Sequence, residues 1–153
     1  MAIELRRARF DEAKDLTELS LRSKRSNGYD DVFMAACQEE LTVTPEKMTA
    51  GEYWLAEDDG LLGCVCLLAD VAASSGEVHA FFVDPIHQRR GVGRLLWQCL
   101  VEQAKIKGLT RLDLDADPEA VPFYQAMGFS IAGQSPSGSV PGRTLPKMEI
   151  VLE

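Results

Sequence analysis

The chain is poor in the residue types that mark several large classes of protein. Its 153 residues include only two histidines and four cysteines. The cysteines lie inside apolar segments rather than in loops, at Cys37, Cys64, Cys66 and Cys99. This pattern excludes a disulfide-rich secreted scaffold, and no nearby Cys or His completes a tetrahedral zinc site at the C-x-C pair. We therefore expect reduced core thiols and no bound metal.

Long hydrophobic runs and excess positive charge are also missing. The longest apolar stretch lies within Leu61–Val71 and is too short to cross a bilayer. The first residues, MAIELRRARFDEA, are charged and contain no signal-peptide core. Together these features predict a cytoplasmic protein without membrane association. The formal net charge of −8 disfavours an extended nucleic-acid surface.

The composition of the chain, 46% hydrophobic and 26% charged residues, is typical of one globular domain over residues 1–153. Apolar periodicity and turn residues predict the element order β-α-α-β-β-β-α-β-α-β-β. A strand at Val78–Val83, a long helix closed by Gly108 and a strand at Leu109–Leu114 imply a parallel pair. A Gly/Ser/Pro-rich loop is predicted from Gly133 to Pro146. We expect an α/β (α+β) fold with a mixed, mostly antiparallel sheet flanked by helices.

Glycines and arginines meet where the long helix begins. The stretch VDPIHQRRGVGRLLW, from Val83 to Trp97, joins an apolar strand to an apolar helix. A helix N-terminus exposes unpaired N–H groups that attract phosphate, and Gly91 and Gly93 would let a pyrophosphate approach the backbone. A tight turn with solvated arginines is the alternative. The dinucleotide fingerprint fails because Leu96 replaces its third glycine, and no Gly-Lys-Ser/Thr completes a P-loop.

A second stretch, DPEAVPFYQAMGF from Asp117 to Phe129, follows downstream. Together the two segments resemble the GNAT N-acetyltransferase superfamily, which joins a V-x-P strand end to a Q/R-x-x-G-x-G/A loop and later carries F-Y-x-x-x-G-F. The resemblance implies a GNAT-like fold, acyltransferase activity and acetyl-CoA as co-substrate, with clear motifs from Glu77 to Phe129. The chain differs from the family pattern at Asp117, where the family often has an asparagine that contacts the cofactor. That contact is not carried over, and Asp117 suits a helix N-cap instead.

The resemblance assigns the coenzyme to the strand end and the glycine loop. The pantetheine would follow the strand and the pyrophosphate would lie on the loop. The implied coenzyme-binding residues are Phe81, Phe82, Val83, Gln88, Arg89, Arg90, Gly91, Val92, Gly93 and Arg94. A backbone N–H of the strand, at Phe82 or Val83, would stabilise the thioester oxyanion.

Tyr124 is the general acid that the resemblance implies. A phenol, whose ordinary pKa is about 10, keeps its proton until a thiolate forms beside it. The alternative is an aromatic side chain that packs in the core beside Phe123.

The general base is expected on the strand before the glycine loop, where the family often carries it. Glu77 and His79 should share one face of this strand with Phe81 and Val83. We favour Glu77 over His79, although the ordinary imidazole pKa of about 6.5 also suits a base. A water chain, or strand residues with no catalytic role, are the alternatives.

Three further residues are candidates for the acceptor site. Asp113 and Asp115 alternate with leucines on a strand that has one solvent-exposed face. They would attract a cationic amine at the acceptor cleft; the alternative is that they are surface residues that only promote solubility. Arg143, in SGSVPGRTLP, would clamp an acceptor carboxylate or close over the coenzyme.

The predicted reaction is acetyl transfer from acetyl-CoA to a primary amine of a small molecule or amino-acid-like acceptor. The amine would attack directly in a ternary complex. The alternatives are a non-catalytic CoA-binding module and a protein lysine or N-terminal acetyltransferase. The expected fold is compatible with a homodimer.

Overall fold

The computed structural model describes residues 2–153, which contain one seven-stranded sheet. The strands are β1 (Glu4–Arg7), β2 (Glu52–Glu57), β3 (Leu61–Asp70), β4 (Ser75–Val83), β5 (Arg111–Asp115), β6 (Ser130–Pro136) and β7 (Thr144–Val151). The helices are α1 (Ala13–Arg25), α2 (Asp31–Leu41), α3 (Pro45–Ala50), α4 (Val92–Ile106) and α5 (Val121–Met127).

The sheet order is β1-β2-β3-β4-β5-β7-β6. The pair β4 and β5 is parallel, and all other neighbours are antiparallel. A parallel pair needs a crossover connection, which α4 supplies here. The predicted mixed, mostly antiparallel sheet with a central parallel pair is confirmed.

Alternation along β3 separates two hydrophobic cores. Val65 and Leu67 pack with the apolar residues of α4 and α5, whereas Cys64 and Cys66 pack with the leucines of α1. Successive strand side chains point to opposite faces of a sheet. The sheet therefore has an α4 face, covered by α4 and α5, and an α1 face, partly covered by α1 and α3.

Periodicity predicts the other helices but not α3. Its six residues are too few to show an apolar stripe. Thr44 nevertheless caps it by accepting a hydrogen bond from the Lys47 N–H (3.2 Å), and Pro45 occupies its first turn. The helix is thus specified by local capping rather than by hydrophobic pattern.

The predicted loop from Gly133 to Pro146 is wrong over half of its length. Strand β6 continues to Pro136 and β7 begins at Thr144, so only residues 137–143 connect them. Strand β6 lies at the sheet edge, where glycine and proline cost least, and its register shifts between Ile131 and Gly133.

The four cysteines are buried and none forms a disulfide, as expected. Burial raises the pKa of the Cys64 and Cys66 thiols to about 12, so these side chains stay protonated near neutral pH. Across residues 2–153, no helix combines the length and the apolar character that crossing a bilayer requires.

Candidate active site

The central cleft opens where β4 and β5 part. Their parallel register covers only three pairs, from Ser75↔Arg111 to Glu77↔Asp113. Strand β4 nevertheless continues to Val83 and β5 to Asp115. The two strands line a cleft of about 1210 Å³ that also contacts the glycine loop, α5 and the β6–β7 loop. Along the parted segment, backbone groups of β4 are available to a ligand.

A β-bulge in β4 changes which side chains share a face. Ala80 has a positive φ of 50°, and the register on β3 shifts between the Cys64↔Phe82 and Cys66↔His79 pairs. Phe81 packs against the α4-face core, whereas Phe82 packs against the α1-face core. His79 precedes the bulge and contacts Glu77.

The prediction that Glu77, His79, Phe81 and Val83 share one face is therefore wrong. Val78 and Val83 belong to the α4 face, so Glu77 and His79 point to the α1 face. The extra residue of the bulge inverts the alternation after His79. Because Ala80 is not a glycine, the sequence carries no signal for this bulge.

The loop between β4 and α4 presents unpaired backbone donors. Asp84 caps a short 3-10 turn at Pro85–His87 through the Ile86 N–H (3.2 Å), and the chain then reaches Gly91, the N-cap of α4. Gly91 has a φ of 78°, and a Cβ there would meet no atom within 4 Å. No side chain caps α4, so its first N–H groups are available to an anion.

The three arginines of this loop have different partners. Arg89 and Arg94 are exposed cleft residues, and no carboxylate lies within salt-bridge distance of either among residues 2–153. Arg90 instead donates to Asp58 in the β2–β3 turn (2.7 Å) and contacts His87 (3.4 Å). The guanidinium of Arg90 therefore holds the loop to the sheet, while Arg89 and Arg94 face the cleft.

The two glycines of the loop also differ. A Cβ on Gly93 would lie 3.0 Å from two ring carbons of Phe123. The missing side chain at Gly93 therefore lets α4 pack against α5. We expected both glycines to let a phosphate approach the backbone closely. The geometry is consistent with this role for Gly91 only. Val92, between them, is buried in the α4-face core.

Tyr124 on α5 is 8% exposed and lies against the rings of Phe81, Phe123 and Phe129, at centroid distances of 6.1, 5.3 and 5.6 Å. Its hydroxyl has no hydrogen-bond partner in the part of the chain that the structure describes, and the side chain lines the cleft. Burial, with a smaller contribution from nearby Asp117, raises its pKa above the ordinary value. The phenol is therefore a proton donor across the physiological range.

Glu77 and His79 form a carboxylate–imidazole pair on the α1 face. His79 Nε2 lies 3.0 Å from Glu77 Oε2, and about half of each side chain is exposed. Asp113 is opposite Glu77 in the parallel register. Partial burial, and then the Glu77 charge, raise the pKa of Asp113. Asp115 is exposed and lines the same cleft.

The partners of Asp117 are Lys24, Tyr29 and the Glu119 backbone. Its carboxylate accepts hydrogen bonds from Lys24 Nζ (2.6 Å) and Tyr29 Oη (2.8 Å), and it caps the next turn through the Glu119 N–H (2.9 Å). Burial opposes ionisation of Asp117, but the bonds from Lys24 and Glu119 outweigh it and hold the pKa below its ordinary value. The N-cap expectation is confirmed.

Arg143 closes the same network from the β6–β7 loop. Its Nη2 donates to Tyr29 Oη (2.8 Å), and its guanidinium carbon lies 4.8 Å from the Phe33 ring centroid. Sequence reasoning assigned no role to Lys24, Tyr29 or Phe33. These residues carry no motif, and their partners are distant in the chain.

The structure thus brings most predicted site residues to one cleft. The cleft is lined by the coenzyme candidates Gln88, Arg89, Gly91 and Arg94. It is also lined by the base candidates Glu77 and His79 and by the acceptor candidates Asp113, Asp115 and Arg143. Within residues 2–153, no cluster of three or more potential metal ligands was found.

Comparisons with known proteins agree with this geometry. A family model described as the acetyltransferase (GNAT) family matches residues 13–129. The peptidyl-lysine N-acetyltransferase YjaB of Salmonella typhimurium is 26% identical over 99% of both chains.

Solved structures show the same fold. The PaiA N-acetyltransferase of Thermoplasma acidophilum, crystallised with coenzyme A, matches with a TM-score of 0.79, 20% identity and coverage of 97% of this chain and 98% of its own. YncA of Salmonella typhimurium, crystallised with acetyl-CoA, matches with a TM-score of 0.69, 19% identity and coverage of 100% and 95%. With the family model covering most of its length and both motifs at the cleft, this chain belongs to the acetyltransferase (GNAT) family.

Proposed function

We propose that this protein transfers the acetyl group of acetyl-CoA to a primary amine of a small molecule. The observation that carries the proposal is Tyr124: a buried phenol without a hydrogen-bond partner among the described residues, at the cleft where β4 and β5 part. Because Tyr124 lines the cleft, its hydroxyl is accessible from there, and a ligand atom is its expected hydrogen-bond partner.

The glycine loop fits the diphosphate of the coenzyme. Its open amides at Gly91 and its two cleft-facing arginines, Arg89 and Arg94, offer both a helix N-terminus and charge-assisted hydrogen bonds. The parted backbone of β4 would then pair with the pantetheine. Phe82 or Val83 would supply the N–H that stabilises the oxyanion.

The two sheet faces suit direct attack in a ternary complex. Tyr124 packs with the α4 face, whereas Glu77 and His79 lie on the α1 face. The acceptor ammonium would lose a proton to Glu77, the favoured base, or to His79, which lies 3.0 Å from it. Its nitrogen would attack the thioester carbon, forming the C–N bond. As the C–S bond breaks, Tyr124 would give its proton to the sulfur, and the attacking nitrogen would release its second proton, which restores the phenol.

A peptidyl lysine is the second candidate acceptor. It is favoured by the full-length similarity to the Salmonella peptidyl-lysine N-acetyltransferase. No docking element for a peptide is evident in the described residues beyond the cleft itself, so we rank the small amine first.

Calorimetric titration with acetyl-CoA, followed by a thiol-release assay, tests the proposal. We expect saturable binding below 1 mM, about −4 kcal/mol or better, and thiol release with at least one small amine. Absence of saturable binding at millimolar acetyl-CoA would refute it. Binding with thiol release only from lysine peptides would establish the second candidate, and binding with no acceptor at all would indicate a coenzyme-binding module.

The arginines of the loop provide a prediction with an internal control. We expect Arg89→Ala and Arg94→Ala each to weaken acetyl-CoA binding by about 10–100-fold, as expected for loss of a charge-assisted hydrogen bond. Titration calorimetry measures this. Because Arg90 is paired with Asp58, Arg90→Ala should lower the midpoint of thermal unfolding. Its loss of acetyl-CoA affinity should be smaller than that of the other two variants. Equal affinity losses in all three variants would contradict this division.

A further inference from the structure

Arg143 is a half-buried guanidinium without a carboxylate partner. It lines the cleft, yet no Asp or Glu oxygen lies within salt-bridge distance of it in the described chain from Ala2 to Glu153. Its one side-chain hydrogen bond donates from Nη2 to Tyr29 Oη (2.8 Å). By contrast, Arg22, Lys24 and Arg90 are each paired with an aspartate. Since a guanidinium carries five N–H donors, most of those on Arg143 remain available.

Aromatic stacking holds this guanidinium in place. Its central carbon lies 4.8 Å from the Phe33 ring centroid and 5.3 Å from that of Tyr29, and the two rings stack at 3.9 Å. The Tyr29 hydroxyl in turn donates to Asp117 (2.8 Å), which Lys24 neutralises. Burial and the bond to Asp117 raise the pKa of Tyr29, which keeps this donor protonated. A guanidinium fixed in this way loses little entropy on binding an anion.

The charges along the cleft differ from one end to the other. On the α1 face, Glu77, Asp113 and Asp115 lie where the strands part. At the Arg143 end, Asp117 is neutralised by Lys24, and Glu40 accepts the hydroxyl of Ser139. The cleft, which Glu40 and Lys147 also line, therefore offers carboxylates to an amine at β5 and, at Arg143, guanidinium donors without a carboxylate partner among the described residues. This polarity suits an acceptor that carries both charges.

We propose that Arg143 binds an anionic group, a carboxylate or a phosphate, on the amine acceptor, and that Tyr29 positions Arg143 for this contact. The inference rests on the proposed small-amine acetyltransferase function. It narrows the acceptors to amines that bear an anion and excludes simple diamines and polyamines. Bidentate hydrogen bonding to a planar carboxylate or to phosphate oxygens is the chemistry that a stacked guanidinium recognises best.

Acceptors in matched pairs test the proposal in the full-length protein. At saturating acetyl-CoA, thiol release would be compared for L-lysine and 1,5-diaminopentane, L-phenylalanine and phenethylamine, and glucosamine 6-phosphate and glucosamine. We expect the anionic member of at least one pair to have a kcat/KM about tenfold or more above its partner, as a charge-assisted contact implies. A preference in the amino-acid pairs identifies a carboxylate, and one in the sugar pair identifies a phosphate.

Variants separate the roles of the network. Arg143→Met should abolish the preference by raising KM for the anionic acceptor about tenfold, while the affinity for acetyl-CoA stays unchanged. Tyr29→Phe keeps the stacked ring and should give a smaller rise in KM with unchanged kcat. Arg143→Lys retains the charge and should restore only part of the preference. Arg111→Met, an exposed residue of β5, is the control.

Several outcomes would overturn the proposal. These are equal or better turnover of the partner that lacks the anionic group in every active pair, a fall in acetyl-CoA affinity in Arg143→Met, and turnover of lysine peptides with no active pair. If no acceptor of any kind releases thiol, both this inference and the catalytic function fail. If pairs are active without a preference, only this inference fails.

Discussion

Replacing Tyr124 with phenylalanine is expected to lower kcat by about 10²–10⁴-fold, the range for losing a general acid. The phenol is buried against three aromatic rings, and its hydroxyl has no hydrogen bond to lose among residues 2–153. The variant should therefore fold normally, with acetyl-CoA affinity and the acceptor KM little changed. Steady-state thiol release, with calorimetry for the coenzyme, measures the division between kcat and binding.

Tyr53→Phe is the matched control for this prediction. Tyr53 is also buried, 5% exposed, and borders the same cleft, but it packs in the α1-face core rather than with Tyr124, and burial likewise raises the pKa of its phenol. We expect kcat to remain within about twofold of the parent. If Tyr124→Phe kept the parental kcat, proton delivery to sulfur would have to come from water, and the assignment of the general acid would be wrong.

Replacing Gly91 with alanine is expected to weaken acetyl-CoA binding by at least about tenfold, or about 1.4 kcal/mol. Gly91 has a φ of 78° at the start of α4, and a methyl group there meets no protein atom within 4 Å. The methyl would occupy the space through which, in the proposed complex, phosphate oxygens approach the helix amides. Isothermal titration calorimetry measures the loss.

Gly108→Ala controls for backbone strain. Gly108 follows α4 with a φ of 77°, and a Cβ there also has no neighbour within 4 Å. Both alanine variants should lose about 1–2 kcal/mol of folding free energy to the left-handed conformation, but only Gly91→Ala should lose coenzyme affinity. Equal affinities in the two variants would show that the coenzyme does not approach Gly91.

Two cations, Lys24 and Arg143, contact the Tyr29 ring at the part of the cleft proposed for the acceptor. Lys24 is 5.2 Å and Arg143 is 5.3 Å from the centroid of the Tyr29 ring, and Asp117 accepts hydrogen bonds from both Lys24 and Tyr29. Asp117 also caps the turn that leads into α5, the helix of Tyr124. One carboxylate thus links the proposed acceptor-binding residue Arg143, through Tyr29, with the helix that carries Tyr124, the proposed general acid.

The sequence by itself determined the family, the element order apart from α3, and the location of the glycine loop. These depend on local signals: period-two alternation along the strands, apolar stripes along α1 and α4, and two motifs that each occupy a continuous stretch. Such patterns can be recognised in a single sequence because backbone hydrogen bonding and capping join residues only a few positions apart.

Only the tertiary structure decided how the site residues are used. The bulge at Ala80 set the faces of Glu77 and Phe81, and packing against Phe123 explained Gly93. Tyr29 joins Asp117 and Arg143 across 88 and 114 positions of the chain. Contacts of this separation leave no periodic trace in a single sequence, because they form only when independently folded segments pack together.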